Sequence, residues 1–303
     1  MESLLKWAIL NGATVGEDAP PRSDNEPAPQ PLDPAVIDAI LGKPASVQMT
    51  ECMDAVEHPE TPLDAREIAL DDLEMLVENI DNASNLEPLG LWPRLMALYG
   101  DAEPSVRIGA LWVSGTAVQH NPNAQKAFAK HGGLQRALDV LRDDTNVVRT
   151  KALYCVSSFI RANVQGLTEF VASSGLPVLL LAVENGAGAL RQKAFFLLHA
   201  LIDEALDAET PEDLRPGMYL PNAIAELGFV DATAAALEEL VDSDANAGLA
   251  YEQAVGFLTA LCATDNGKQA VRSCAALQGA LSAAKQRFPE IETDELCQTM
   301  VQS

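Results

Sequence analysis

The chain has 303 residues, of which 48% are hydrophobic and 5% aromatic, and its formal net charge at pH 7 is −24. Such an acidic chain is unsuited to binding a phosphate backbone, which requires a basic patch, so we expect no nucleic-acid partner. The five cysteines are scattered and never form a CxxC pair, which is typical of free thiols in a reducing compartment. No apolar run approaches the roughly 18 residues of a membrane helix. We therefore expect a cytoplasmic protein that does not enter a membrane.

Residues 1–44 are expected to form a flexible N-terminal segment. A short amphipathic helix can form over residues 1–11, and its apolar side chains are Leu4, Leu5, Trp7 and Ile9. A helix this short is marginal in water unless it packs against something else. The proline-rich, acidic stretch over residues 16–34 cannot bury enough apolar surface to offset the chain entropy lost on folding, so it is predicted to be a linker.

From residue 45 onward the sequence repeats with a period of 42 residues. The segment from Val106 to Gly133 is followed one period later by the segment from Val148 to Gly175. An arginine, an alanine and an aromatic residue recur in the repeats: Arg107, Arg149 and Arg191; Ala110, Ala152 and Ala194; Trp112, Tyr154 and Phe196. A helical period of about 40–47 residues is typical of HEAT or armadillo solenoids, whose units bury their apolar faces against one another. We predict an all-α, right-handed armadillo-type solenoid over residues 45–303, with degenerate capping repeats at both ends.

Each full repeat is predicted to contain three helices, of which the third begins at the repeated Val-Arg or Leu-Arg pair. The predicted third helices are Val106 to Asn121, Val148 to Asn163, and Leu190 to about Ala205. Gly133 and Gly175 are expected at helix C-termini, where a left-handed residue is needed. The next repeat is longer, and an inserted loop is predicted over residues 207–221.

The chain shows little sign of catalytic chemistry. Its four histidines form no pair at metal-ligand spacing, and it contains neither a Gly-rich phosphate loop nor a GxSxG motif. We therefore expect no enzyme activity, no metal and no cofactor.

Polar positions on the third helices are more informative, because they recur with the same period. They form two series, Gln119, Arg161 and Asp203, and Thr116, Ser158 and Ala200. These positions face the concave side of an armadillo unit, opposite a packing face that we expect to carry the Ala, Leu and aromatic series. They could bind a partner protein or tie neighbouring helices together, and binding is favoured for Gln119 and Arg161. The repeated arginines lie at helix starts, where they oppose the helix dipole, so an internal or external acidic partner is expected for them.

Four segments resemble a known family: MESLLKWAILN at the N-terminus, LEMLVENIDNASN (73–85), GTAVQHNP (115–122) and VRTKALYCVSSFIRAN (148–163). They are similar to the Fes1 and HspBP1 family of armadillo-type nucleotide exchange factors for seventy-kilodalton heat-shock chaperones (Hsp70). The resemblance implies a monomer whose concave side grips the ATPase domain of a cytosolic chaperone, opens the nucleotide cleft and releases ADP. It also implies that the N-terminal segment, through Leu4, Leu5, Trp7 and Ile9, promotes release of unfolded substrate.

The matching motifs carry over a set of expected partner contacts. Ala83 and Lys193 are the first candidates, and the further candidates are Asn82, Gln119, Arg161 and Arg191. His120 stands where the family more often has asparagine, which leaves one expected contact open. The competing hypothesis is an importin-like adaptor that binds a basic peptide or cargo, which the negative charge would suit. Those adaptors repeat a tryptophan and an asparagine on the third helix, whereas here only Trp112 matches that tryptophan.

Overall fold

A computed structural model describes residues 42–209, 219–241 and 247–301; for Val241, Glu295 and Val301 it describes the backbone alone. Within these ranges the regular structure is helical, with one 3-10 turn at Leu98–Gly100 and seventeen α-helices. The α-helices are α1 (Ala45–Glu57), α2 (Leu63–Val77), α3 (Ile80–Asn85), α4 (Leu91–Ala97), α5 (Pro104–Val118), α6 (Pro122–Lys130), α7 (Gly133–Asp143), α8 (Asn146–Ile160), α9 (Val164–Ala172), α10 (Gly175–Glu184), α11 (Ala189–Leu206), α12 (Tyr219–Glu226), α13 (Phe229–Val241), α14 (Ala247–Leu261), α15 (Asp265–Ser273), α16 (Ala275–Arg287) and α17 (Asp294–Val301).

The helices stack in rows, as expected for a solenoid of three-helix units. Helices α2, α5, α8, α11 and α14 form one row in which each packs on the next, and we call it the third-helix row. Helices α7, α10, α13 and α16 stack in the same way, and they and α4 are the second helices of their units. The short first helices are α3, α6, α9, α12 and α15, which we call the first-helix row; among them α3 contacts α6 and α12 contacts α15. Contacts divide the chain into two units, Met1–Gln48 and Met49–Ser303, and the packing described below lies within the second.

Two asparagines one period apart begin the first helices. The side chains of Asn121 and Asn163 accept hydrogen bonds from the backbone N–H groups of Ala124 and Gly166. Capping of this kind satisfies a donor that the helix itself leaves without a partner and stabilises a helix by about 1 kcal/mol. Thr264 does the same for α15 through its hydroxyl group. These repeated polar residues therefore have a structural role.

Glycine plays two different roles at the start of the second helices. The left-handed position before α4, α7 and α10 is occupied by Gly90, Gly132 and Ser174, with φ of 66°, 69° and 59°. The expectation that Gly133 and Gly175 hold this conformation is wrong by one residue. These two glycines are the first residues of α7 and α10 and lie against the rings of Phe128 and Phe170. A Cβ atom there would overlap the ring, so it is the close approach that requires glycine.

The repeated arginines fasten the start of each third helix to the C-terminal ends of second helices. Arg107 donates two hydrogen bonds to Asp144, of 2.7 and 2.9 Å, just beyond the C-terminus of α7. Burial, the largest single influence, raises the pKa of Asp144, but the hydrogen bonds from Arg107 and Thr145 and the charge of Arg107 together outweigh it and hold the pKa below its ordinary value. Arg149 donates instead to the backbone carbonyls of Leu141 and Leu181 at the ends of α7 and α10. A cation at a helix C-terminus is favoured by the dipole, so an internal partner explains these arginines.

The core runs continuously through the described repeats and contains most of the large aromatic side chains. Phe128 contacts Trp92 and Phe159, with ring centroids 5.6 and 5.1 Å apart. Farther along, Phe257 lies between Phe195 and Phe229 at centroid distances of 6.3 and 6.5 Å. The all-α armadillo prediction is confirmed. Within the described ranges no single helix is long and apolar enough to cross a membrane, although the pair α9 and α10, bent by 77°, has the length and composition to do so.

Some sequence predictions fall on parts that the structure does not describe. The proposed substrate-release residues Leu4, Leu5, Trp7 and Ile9 lie outside the described residues, as do residues 210–218 of the inserted loop. The end of that predicted loop is helical, because α12 begins at Tyr219 and includes Pro221. The division at residues 44 and 45 stays a prediction, with α1 beginning at Ala45.

Candidate partner-binding face

The solvent-exposed side of the third-helix row carries the repeated aromatic residues. Trp112 and Phe196 are 37% and 48% exposed, and Tyr154 between them is half-buried. The expectation that this series belongs to the packing face is wrong. Alanine, leucine and valine fill the tight helix-to-helix contacts, and a wide aromatic ring at this position points to solvent instead. We call this exposed side the third-helix face.

Two lysines alternate with the aromatic residues on this face. Lys151 Nζ lies 3.4 Å from the centroid of the Trp112 ring and 5.6 Å from that of Tyr154. Both distances are within the range of a cation–π interaction. Lys193, one period after Lys151, is exposed. We call Trp112, Lys151, Tyr154, Lys193 and Phe196 the aromatic–lysine strip.

The strip is joined to α2 through a short hydrogen-bond chain. Thr116 donates to Glu74 Oε1 at 2.7 Å, and the hydroxyl group of Tyr154 lies 3.1 Å from the Thr116 hydroxyl oxygen. Gly115 allows Tyr154 to lie close to α5, because a Cβ atom there would be 2.5 Å from the Tyr154 ring. The first three third helices therefore position the Tyr154 ring together.

In the series of Gln119, Arg161 and Asp203, the first two residues lie directly after the C-terminal ends of third helices. Gln119 is the exposed residue that follows α5, and Arg161 is half-buried after α8. Arg161 donates to Glu204 Oε1 at 2.9 Å, and its guanidinium carbon lies 5.7 Å from the Phe196 ring centroid. Gln119 and Lys193 are accessible to a partner, whereas Arg161 already has an internal carboxylate. Whether these residues contact a partner stays a prediction.

Two of the predicted contact residues, Ala83 and Arg191, are buried in this structure. Ala83 is 1% exposed and belongs to the core, because α3 turns it inward. Arg191 is 6% exposed, donates to the carbonyl oxygen of Val183, and pairs with Glu239 at 2.7 Å. In this structure Ala83 packs in the core and Arg191 fastens α11 to the end of α10; whether either residue contacts a partner stays a prediction. Asn82 is half-buried, and its side-chain amide donates to the Leu76 carbonyl at 2.9 Å.

The backbone conformation at His120 explains why an asparagine would suit this position. Its φ is 51°, and Ala162 one period later has φ of 52°. Asparagine and histidine enter the left-handed region more readily than most residues. The left-handed backbone at position 120 therefore suits histidine and asparagine alike, and whether His120 contacts a partner stays a prediction.

Sequence reasoning missed Lys151, the central residue of the strip. The available signal was its spacing of 42 residues from Lys193, which placed both on the same helix position. Burial lowers the pKa of Lys151, and the nearby charge of Lys193 lowers it further, while Glu74 and Asp71 act in the opposite direction. Within the described ranges, no group of three or more His, Cys, Asp or Glu side chains is arranged to hold a metal ion.

Comparison with known proteins places these features in a family. The profile described as nucleotide exchange factor Fes1 matches residues 1–86, and that of the SIL1/FES1/HPBP1 C-terminal domain matches residues 82–217. The chain is 39% identical to the Hsp70 nucleotide exchange factor fes1 of Schizosaccharomyces pombe, over 59% of this chain and 63% of the relative, which is less than two thirds of that protein.

Longer alignments are found with two other relatives, both described as Hsp70 nucleotide exchange factor FES1. The protein of Kluyveromyces lactis is 34% identical over 68% of this chain and 71% of its own length. The protein of Eremothecium gossypii is 34% identical over 75% of this chain and 79% of its own length.

Solved structures support the architecture. A designed armadillo repeat protein in complex with the peptide (KR)4 aligns with a TM-score of 0.61 at 15% identity, covering 83% of this chain and 99% of that one. Another designed armadillo repeat protein gives a TM-score of 0.60 at 14% identity, with 83% and 98% covered. Identities this low show the fold alone. The family profiles and the two longer alignments show more: the chain belongs to the Fes1 family of nucleotide exchange factors.

Proposed function

We propose that this protein is a nucleotide exchange factor that binds the ATPase domain of a cytosolic Hsp70 and accelerates the release of ADP. Membership in the Fes1 family is the observation that carries this proposal. The protein acts in the cytoplasm as a monomeric co-chaperone and carries out no chemical step itself. The third-helix face is the surface that we assign to the chaperone.

The size of the required energy favours a long face over a single pocket. An exchange factor must bind the open, nucleotide-poor chaperone more tightly than the closed one, because equal affinity would shift nothing. Moving a chaperone from 1% to 99% open takes roughly 10⁴-fold preference, or about 5.5 kcal/mol. One exposed ion pair contributes about 1 kcal/mol or less. Contacts from several third helices are therefore needed, and the aromatic–lysine strip spans three of them.

The importin-like alternative is disfavoured by the same face. A basic peptide would have to place its cations beside Lys151 and Lys193, and Lys151 already lies over the Trp112 ring. The positive charges of the peptide and of the two lysines would then repel each other. The likeness to a designed protein in complex with (KR)4, at 15% identity, shows the fold alone and carries no argument for a basic ligand.

The test is the release rate of a fluorescent ADP from purified Hsp70, chased by excess ATP, with and without the full chain. A concentration-dependent acceleration is expected, and none with any cytosolic Hsp70 would contradict the proposal. The N-terminal role is tested separately by replacing Leu5 and Trp7 with serine. That variant should slow release of unfolded substrate while ADP release remains at the wild-type rate.

A further inference from the structure

The charges on the third-helix face are unevenly distributed. The chain has 44 acidic against 20 basic residues, yet the middle of this face presents Lys151 and Lys193 next to each other. Arg161, whose guanidinium group lies near Phe196 on this face, is already paired with the internal carboxylate of Glu204. Among the described side chains, neither Lys151 nor Lys193 has a carboxylate within 4 Å of its ammonium group.

Acidic groups lie at both ends of this cationic centre. On the α2 side, Asp71 and Glu74 are near enough to influence Lys151 electrostatically. Toward α14, a hollow of about 620 Å³ is lined by Asp203, Glu252 and Glu290 among other residues. The face therefore has a positive middle between two negative ends, a pattern that neither a uniformly basic nor a uniformly acidic partner would match.

The side chain of Lys151 is also restricted in position before a partner binds. Contact with the rings of Trp112 and Tyr154 restricts a side chain that otherwise has many rotamers. A preorganised group loses less entropy on binding than a free one. The Trp112 and Phe196 rings, 37% and 48% exposed, flank the lysines, and aromatic residues of both types are enriched in protein interfaces.

From these observations we infer that the aromatic–lysine strip binds an acidic segment of the partner protein, with carboxylates opposite Lys151 and Lys193 and apolar groups on Trp112 and Phe196. The inference rests on the proposed exchange function for the identity of the partner, the Hsp70 ATPase domain. What it adds is the chemical class of the partner surface that the strip recognises, namely an acidic segment. A carboxylate placed there relieves the repulsion between the two lysines, and this relief is available only in the complex.

The test is charge reversal in the full chain, measured as affinity for the Hsp70 ATPase domain at several salt concentrations. K151E/K193E should lose at least about tenfold in affinity, because two attractive contacts become repulsive. K126E/K268E is the matched control: it makes the same change in net charge on the first-helix row, at Lys126 of α6 and Lys268 of α15. It should bind like the wild type. K151R/K193R, which retains both charges, should keep most of the affinity.

The salt dependence of the affinity and the circular dichroism spectrum together distinguish loss of a local ionic contact from misfolding of the variant. Affinity of the wild type should fall as salt rises, since exposed charges are screened, and K151E/K193E should show a much weaker dependence with an unchanged helical circular dichroism spectrum. Equal affinity of the wild type and K151E/K193E would overturn this inference and leave the exchange function intact. Tighter binding by K151E/K193E would assign the strip to a basic ligand and also overturn it. Failure of the wild type to bind the ATPase domain would overturn both proposals.

Discussion

Substitution of Gly115 by alanine tests how the fold positions the strip. Gly115 lies inside α5, and a Cβ atom there would be 2.5 Å from the Tyr154 ring and 3.1 Å from the Cα atom of Cys155. Gly279 in α16 provides the control, because a Cβ atom there meets nothing within 4 Å. Both substitutions gain about 1 kcal/mol from helix propensity. Overpacking at position 115 costs about 1–3 kcal/mol.

The propensity gain is common to both variants, so the difference between them measures the overpacking. G279A should be about 1 kcal/mol more stable than the wild type, and G115A should be less stable than G279A by about 1–3 kcal/mol. Urea unfolding followed by circular dichroism measures both values. G115A should also displace the Tyr154 hydroxyl group from Thr116 and weaken chaperone binding. Equal stability of the two variants would refute the close packing of α5 against Tyr154.

Two further predictions concern residues whose roles the structure defines. A83R places a long cation in a site that is 1% exposed, so it should destabilise the fold by more than about 4 kcal/mol; a thermal melt like that of the wild type would contradict this. R107Q should cost about 2 kcal/mol at pH 7, since hydrogen bonds between charged groups are lost. Because Arg107 lowers the pKa of Asp144, the stability that the pair contributes is complete above about pH 4 and is lost as the pH falls through the lowered pKa. The stability difference between wild type and R107Q should therefore shrink toward pH 3, and a constant difference would show that the charge of Asp144 is not involved.

The period of the sequence predicted the helices well because repeated positions share an environment. The third helix predicted from Val106 to Asn121 is observed as Pro104–Val118, and the one from Val148 to Asn163 as Asn146–Ile160. The shift at the C-terminal ends has a clear cause. Asn121 and Asn163 cap the following helices and do not end the third ones.

The same period could not say which environment a repeated position has. Trp112, Tyr154 and Phe196 would keep their spacing whether buried or exposed, and only the packing of neighbouring helices shows that they face solvent. Ala83 is ambiguous in another way, since a small side chain suits both a close partner contact and a tight core. Gly133 and Gly175 repeat because an aromatic ring lies against them, which local turn chemistry does not reveal.

The most direct measurement of the central claim is site-specific photo-crosslinking to the Hsp70 ATPase domain. A photoreactive phenylalanine analogue replaces Phe196 on the third-helix row or, as a control, Tyr219 on the first-helix row; both side chains are 48% exposed. The proposed interface predicts cross-links to the ATPase domain from position 196 and none from position 219. Cross-links from position 219 with none from position 196 would contradict the assignment of the chaperone to the third-helix face.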